Sequence, residues 1–517
     1  MKKYLLLFTV ILISSCISVK KHNQQINNPI NPKLLQKDTD FALHQLEKLH
    51  PQLYWYISKE NLHQKFSQLK NNLTKPINSK EYYSLLAPII SEVKEGHLTL
   101  IPPTKKYTKR EIKYIKHQKG LLGRFTYLID ENRLYIKENK DKFANIPVGT
   151  EILAIGGTST EDYIKKYKPF ITGDGFNETY NRYSLARRLP DFITLEKGIL
   201  DSIKIKTAYL NEVKEFYIHR EKTTDKELKA EKKKIADSTD NKQNRNQHFN
   251  AATKNYNREL KFLDQDSTIA YVKIRSFSGV HSSDFYKSTF KKIDDKKAQY
   301  LVIDVRDNLG GSLNEIRNLY QYLTYDTINI IKPIEVTSKS SLKQADYFKG
   351  SSIASGFFKG LFYPLYYSYI AGSVKNVDAK YLIKEKDIKK IKTKNLKKNH
   401  FAGKIYFLMN GSSFSASSII TSKAKNDGRA ILVGEETGGA NDGTVAGRYA
   451  TQKLPNSKLK LPIGLMLIEP DIQFSNTKKG VIPDIEIIPT KEDIFSNNDV
   501  QLNWILKDIE AKKGNLQ

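Results

Sequence analysis

The chain has almost no sulfur chemistry to offer: Cys16 is the one cysteine in 517 residues. An internal disulfide is therefore excluded, and a thiol catalyst is disfavoured. Long apolar runs are missing as well. The stretch from Tyr4 to Ile13, behind Met1-Lys-Lys, is too brief to span a bilayer and reads as the apolar part of an export signal. Acidic residues are in deficit, 56 against 85 Lys and Arg, which leaves a formal charge of +29. The excess is lysine scattered along the chain rather than gathered into a stripe. It fits a solvated surface better than a phosphate-binding face, so no nucleic-acid partner is expected, and an anionic membrane surface or an acidic substrate suits it better. Nothing in the pattern calls for a metal or an organic cofactor.

What is present begins with an address. Ile13-Ser14-Ser15-Cys16 resembles the lipobox of bacterial lipoproteins, in which the cysteine becomes the lipidated first residue of the mature chain. This predicts a signal peptide over 1–16, lipidation and membrane attachment at Cys16, a flexible tether over 17–37, and a location in the cell envelope, periplasmic or outer-membrane. The body of the chain exceeds what one core usually serves, so two or three domains are expected.

An N-terminal helical subdomain is predicted over 38–110, with Asp40 capping a helix that stops before Pro51. Two more helical patterns run around Leu62–Leu69 and Tyr82–Val93. They deliver the chain to Glu95-Gly96-His97-Leu98-Thr99-Leu100, where strand-like alternation begins, so His97 sits at a helix-to-strand junction. Residues 115–220 read as a β-rich module. Its Gly149-Thr-Glu-Ile-Leu-Ala-Ile-Gly-Gly157 run resembles a strand and turn of PDZ domains, which bind peptides by strand addition. Residues 221–262 are dense in charge and read as a linker or an exposed helix. An α/β domain follows over 263–495, with an insertion over 325–403, and a C-terminal helix over 496–517 closes the chain. In the α/β domain, strand and helix alternate, which argues for a mainly parallel sheet with its ligand site at the carboxyl ends of the strands. Ser312-Leu-Asn-Glu315 has capping-box spacing. The insertion holds an aromatic block, Phe357, Phe358, Phe362, Tyr363, Tyr366, Tyr367 and Tyr369, read first as satellite core and second as a lid or cleft wall.

Two stretches about a hundred residues apart carry the chemistry. Leu301-Val-Ile-Asp-Val-Arg-Asp-Asn-Leu-Gly-Gly311 is a buried strand ending in paired glycines, where backbone N–H groups can approach a ligand closely. Asn410-Gly-Ser-Ser-Phe-Ser-Ala-Ser-Ser418 is a second strand end, and it delivers Ser415 to a helix start, where unpaired amides favour developing negative charge. One offers an oxyanion hole, the other a nucleophile.

In this order, with Gly434-Glu-Glu-Thr-Gly-Gly439 and Gly480-Val-Ile-Pro-Asp484 following, the motifs resemble those of the C-terminal processing and tricorn-like serine peptidases. The resemblance implies a ClpP/crotonase-like α/β core and hydrolysis of peptide bonds in a peptide or protein substrate. It further implies Ser415 as nucleophile and an oxyanion hole from Gly310 or Gly311 with Ala416. Relatives of the Ser-Lys type carry a lysine base where this chain has Ala440, so the upstream histidine of the tricorn-like branch, matched by His97, is the expected base. Ser418 stands where the family usually has glutamate. The carboxylate that would orient His97 stays open among Glu435, Glu436, Glu469 and Asp484. A protein that keeps the fold but only binds a ligand or peptide is the alternative, and an esterase or amidase would share the same machinery.

Overall fold

Parallel strands need crossovers, and the alternating order of the chain supplies them. In the computed structural model, which describes residues 19–514 apart from 117, 119, 141–144, 241, 252, 328, 348–352, 385–396 and 474–476, they form a six-stranded central sheet. Its order is Ile485–Glu486, Ile431–Gly434, Lys404–Met409, Tyr300–Asp304, Ile269–Ile274 and Arg258–Phe262. Every neighbouring pair is parallel except the last, where Arg258–Phe262 runs antiparallel at the edge. Period-two alternation sends Tyr300, Val302, Tyr406 and Leu408 to one face. There Ile505 and Ile509 of the C-terminal helix Val500–Gly514 cover them. Leu301, Ile303, Ile405 and Phe407 face the main core, which holds helices Ser282–Asp295, Leu313–Tyr320 and Ala416–Asn426.

The β-rich module is a second, antiparallel sheet of Phe125–Asp130, Arg133–Asn139, Glu151–Ile155, Ser202–Tyr209 and Glu212–His219, with Thr158–Ser159 paired to the third. A third sheet joins the insertion to a hairpin for which no strands were expected: Val374–Val377, Lys380–Ile383, Glu335–Val336, Lys460–Ile468 and Thr444–Lys453. Among the described residues no helix is long and apolar enough to cross a membrane.

Several expectations give way to packing. Cys16 and its signal lie outside the described residues. The expected tether instead contains helix Val19–Asn27 and the start of helix Pro32–Leu49, whose cap is Asn31 and not Asp40, because Ile26 and Leu35 are needed in the core. The alternation after His97 forms no strand. Only Ile101 bridges, to Lys460. The charged segment does form a helix, Asp225–Asp240, but it ends in core: Arg258 is fully buried. Ser312 makes no capping hydrogen bond, because Glu315 is drawn to Arg258 instead, with Nε–Oε1 at 2.6 Å and Nη2–Oε2 at 2.8 Å. The aromatic block lies on helix Ile353–Gly372 and is divided. Tyr363 and Tyr366 pack on Tyr347, while Leu361, Phe362, Leu365, Tyr367 and Tyr369 are exposed.

Candidate active site

The two glycine- and serine-bearing turns meet at the carboxyl ends of neighbouring strands, and side chains from each hold the other's backbone. Asn410 accepts from the Asp307 amide at 3.0 Å and donates to the Asp307 carboxylate at 3.1 Å. The Phe414 amide and the Ser417 hydroxyl both donate to the Asn308 carbonyl, at 3.0 and 2.8 Å. Beneath them Asp304, fully buried, binds Lys273 and Arg306, and these cations hold its carboxyl well below the usual range despite the burial.

Ser415 stands at the N-cap of helix Ala416–Asn426 with φ 57° and ψ −117°, a conformation that costs a non-glycine residue and persists only where neighbours enforce it. From Ile405 to Ala424 every other residue is buried, so Ser415 is where this segment reaches solvent. Gly310, at φ +98°, lies directly against it. A Cβ there would come within 2.8 Å of the Ser415 Cβ and 2.9 Å of the Ala416 nitrogen. On the other side a Cβ on Gly439 would meet the Ser415 nitrogen at 2.9 Å and the Ser418 Oγ at 2.4 Å. Ser418 itself is buried and donates to the Ser413 carbonyl, so it shapes the turn.

The Gly310 amide donates to Asn308 Oδ1 at 2.9 Å, and this removes it from the expected donor set. Glycine is needed at 310 for close approach, not for its N–H. Among the described residues the amides of Gly311 and Ala416 have no acceptor. The Ala416 amide is one of the orphan donors of a helix start, where the dipole favours an anion.

His97 reaches the same place from far upstream. Its ring packs on Phe414, the residue before Ser415, with centroids 4.8 Å apart, and Tyr180 also stacks on Phe414 at 4.7 Å. Among the described residues no hydrogen bond joins His97 to Ser415; Nδ1 instead lies 2.9 Å from Thr444 Oγ1. The Thr444 hydroxyl donates to Glu95 Oε1 at 2.8 Å, and the Val445 amide donates to the same oxygen at 3.0 Å. With its proton committed to Glu95, Thr444 can only accept from His97, so Nδ1 carries the hydrogen and Nε2 is left as the basic nitrogen. Burial pulls the His97 pKa down, which keeps the ring neutral and able to take a proton.

Behind this relay lies Asp174, fully buried. Its Oδ1 accepts from the Gly96 amide at 2.6 Å, and the Ala440 amide lies 3.4 Å from its Oδ2. Glu95, His97 and Asp174 converge with donor atoms within 4.8 Å of one another. Side chains of these kinds can hold a metal, but here their atoms already bond Thr444, Val445 and Gly96.

None of the four carboxylates considered from sequence hydrogen-bonds His97. Glu435 is held by Arg182 and Tyr183, Glu436 accepts from the Gly480 amide, Glu469 lies 3.9 Å from Lys332, and Asp484 accepts from the Leu432 amide. The partners that the structure supplies, Thr444, Glu95 and Asp174, were not anticipated. Glu95 stood two residues before His97 in the quoted motif; Asp174 sits between Gly173 and Gly175, a loop signature that marks tight backbone but not this destination.

Residues 268–487 match the family model "Peptidase family S41". These residues, less than half of the chain, carry an S41 peptidase domain. The S41 domain is a serine-peptidase domain and thus a hydrolase. The fold is similar to that of mature CPAF complexed with lactacystin, at 15% identity and a TM-score of 0.63 over 94% of this chain and 99% of that one. It is likewise similar to a second structure of mature CPAF, at 16% identity and a TM-score of 0.57 over 90% of this chain and 94% of that one. At these identities the likeness speaks for the fold. No curated protein sequence matches the chain.

Proposed function

We propose that this S41 peptidase is an exported, lipid-anchored enzyme that cleaves peptide bonds by acyl transfer, with Ser415 as nucleophile and His97 as general base. The observation that carries the reading is Ser415 itself: a strained, solvent-reaching serine at a helix start, with the unpaired Ala416 amide beside it and the His97 ring on its neighbour Phe414. In the first half-reaction the Ser415 hydroxyl gives its proton to His97 Nε2 while Oγ attacks the scissile carbonyl. The resulting oxyanion is met by the amides of Ala416 and Gly311. His97 then passes the proton to the departing amine, leaving an acyl-serine. Water reverses the sequence, with His97 again taking and returning a proton. Catalytic hydrogen bonds often form only once substrate binds, so a His97 ring on Phe414 that does not yet bond Ser415 fits a site that tightens on the substrate.

The remaining proposals concern delivery. Lipid attachment at Cys16 would hold the enzyme at the envelope membrane, and the β-rich module, read as PDZ-like, would present a peptide by strand addition. The missing Ser–His hydrogen bond favours one rival, a protein that retains the fold and only binds. A fluorophosphonate probe separates the two. Wild-type protein is expected to label at Ser415 and to cleave peptides. S415A is expected to fold and do neither, and H97A to lose on the order of 10³-fold in turnover. An unlabelled wild type, or an S415A variant that still cleaves, removes the assignment.

A further inference from the structure

The Thr444–Glu95 relay ends on a second buried acid that the reaction scheme does not use. We propose that Glu95 and Asp174 act as one carboxyl pair holding a single proton between them, and that the pair's one net negative charge lies behind Thr444 as the counter-charge for His97. This rests on the reading of His97 as the base of Ser415. Both residues are thus positioning residues. Neither faces Ser415, and each acts through the histidine.

The geometry leaves little alternative. Glu95 is 3% exposed and Asp174 fully buried, and their carboxyl oxygens approach within 4.8 Å of one another. Two ionised carboxylates cannot share such a place without a cation. The groups packed around them are His97 in the same turn, with Nδ1 3.9 Å from Glu95 Oε1, Tyr56 after the first long helix, Tyr449 on the hairpin strand, and Asp442 before it. Tyr56 and Tyr449 are kept neutral by burial and by these same acids. Lys94, next in sequence to Glu95, turns its ammonium to the Phe176 ring. Among the described residues no lysine or arginine forms an ion pair with either carboxyl. The compensation must therefore be a proton. Burial raises Glu95 to about 7 and, with Glu95 beside it, raises Asp174 well above the ordinary range. The titration belongs to the pair, not to either member.

Asp174 has a second task. Its grip on the Gly96 amide fixes the turn that aims His97, and its approach to the Ala440 amide ties that turn to the Gly438–Gly439 segment packed on Ser415. The carboxyl pair thus occupies the neighbourhood of the residue where Ser-Lys relatives carry their lysine.

Three variants and one spectrum test this on the full chain. D174N keeps an oxygen for Gly96 and gives Glu95 an N–H in place of the shared proton, so the net charge is unchanged; kcat is expected within about 10-fold of wild type, with the acid limb of the pH profile in place. D174A removes the grip, and kcat should fall about 100-fold with KM little changed. E95Q removes the charge. His97 should then be harder to protonate, and the acid limb should move down by about one pH unit. Infrared difference spectra at pH 7 should show a carboxylic acid C=O band in wild type that D174N loses and that E95Q, with Asp174 still protonated, keeps. Should a variant fail to fold, the same band followed with pH in the wild type decides: it must persist at pH 7 and vanish at higher pH. The proposal is overturned if no such band exists, if E95Q leaves the acid limb in place, or if D174N falls as far as D174A. A wild type that neither cleaves nor labels would instead sink the Ser415–His97 reading, while the infrared arm would still report on the pair.

Discussion

A single methyl group at residue 310 tests the close approach on which the proposed oxyanion site depends. An alanine Cβ would meet the Phe414 carbonyl oxygen at 2.7 Å, and that oxygen is backbone, which cannot rotate away. The backbone there also has φ +98°, where an L side chain is strained. G310A is expected to lose about 2 kcal/mol of stability and at least about 100-fold in fluorophosphonate labelling rate. Denaturant unfolding and labelling kinetics measure the two separately. At this scale the helix start that carries Ser415 was legible, because a strand end opening into a helix is a local pattern. The Gly310 amide was not, since whether an N–H is free depends on a side chain two positions away, Asn308, and on how it folds back.

Elements are held by pairs that sequence distance conceals. The edge strand Arg258–Phe262 is pinned to helix Leu313–Tyr320 by the bidentate Arg258–Glu315 contact, with the Tyr286 hydroxyl donating to the same carboxylate at 3.2 Å. Breaking it from one side leaves a buried guanidinium without its counter-charge. E315Q should destabilise by about 3 kcal/mol, whereas replacing both partners together with apolar residues of similar size should restore much of that. Thermal unfolding of the single and double variants measures it; a neutral E315Q would show that the pair contributes no stability. The capping-box spacing at Ser312 misled for the same reason: the local pattern offers Glu315 one partner, and a distant arginine offers a stronger one.

Across the whole molecule, the N-terminal helices serve the hairpin that carries Thr444 rather than standing apart. Asp38, fully buried on helix Pro32–Leu49, accepts from the Ser457 amide and hydroxyl, both at 2.6 Å, and from the Asn456 amide at 3.0 Å. These residues form the tip of the hairpin whose first strand begins at Thr444, the partner of His97. D38A strands several buried donors and is expected to cost about 3 kcal/mol, with a further loss of turnover because Thr444 shifts. Equal loss of stability with unchanged kcat in the surviving folded protein would uncouple the two ends.

Local pattern alone determined the parallel core, the two strand-end turns and the serine at a helix start, because hydrophobic period, paired glycines and capping positions are properties of short stretches. Tertiary structure decided the rest: that helix Pro32–Leu49 begins in the expected tether, that Arg258 is core, that Thr444 faces His97, and that Glu95 and Asp174 meet 79 residues apart along the chain. Burial sets which charges must find a partner, and the partner is whatever the fold brings within hydrogen-bond reach, a quantity that no window of sequence contains.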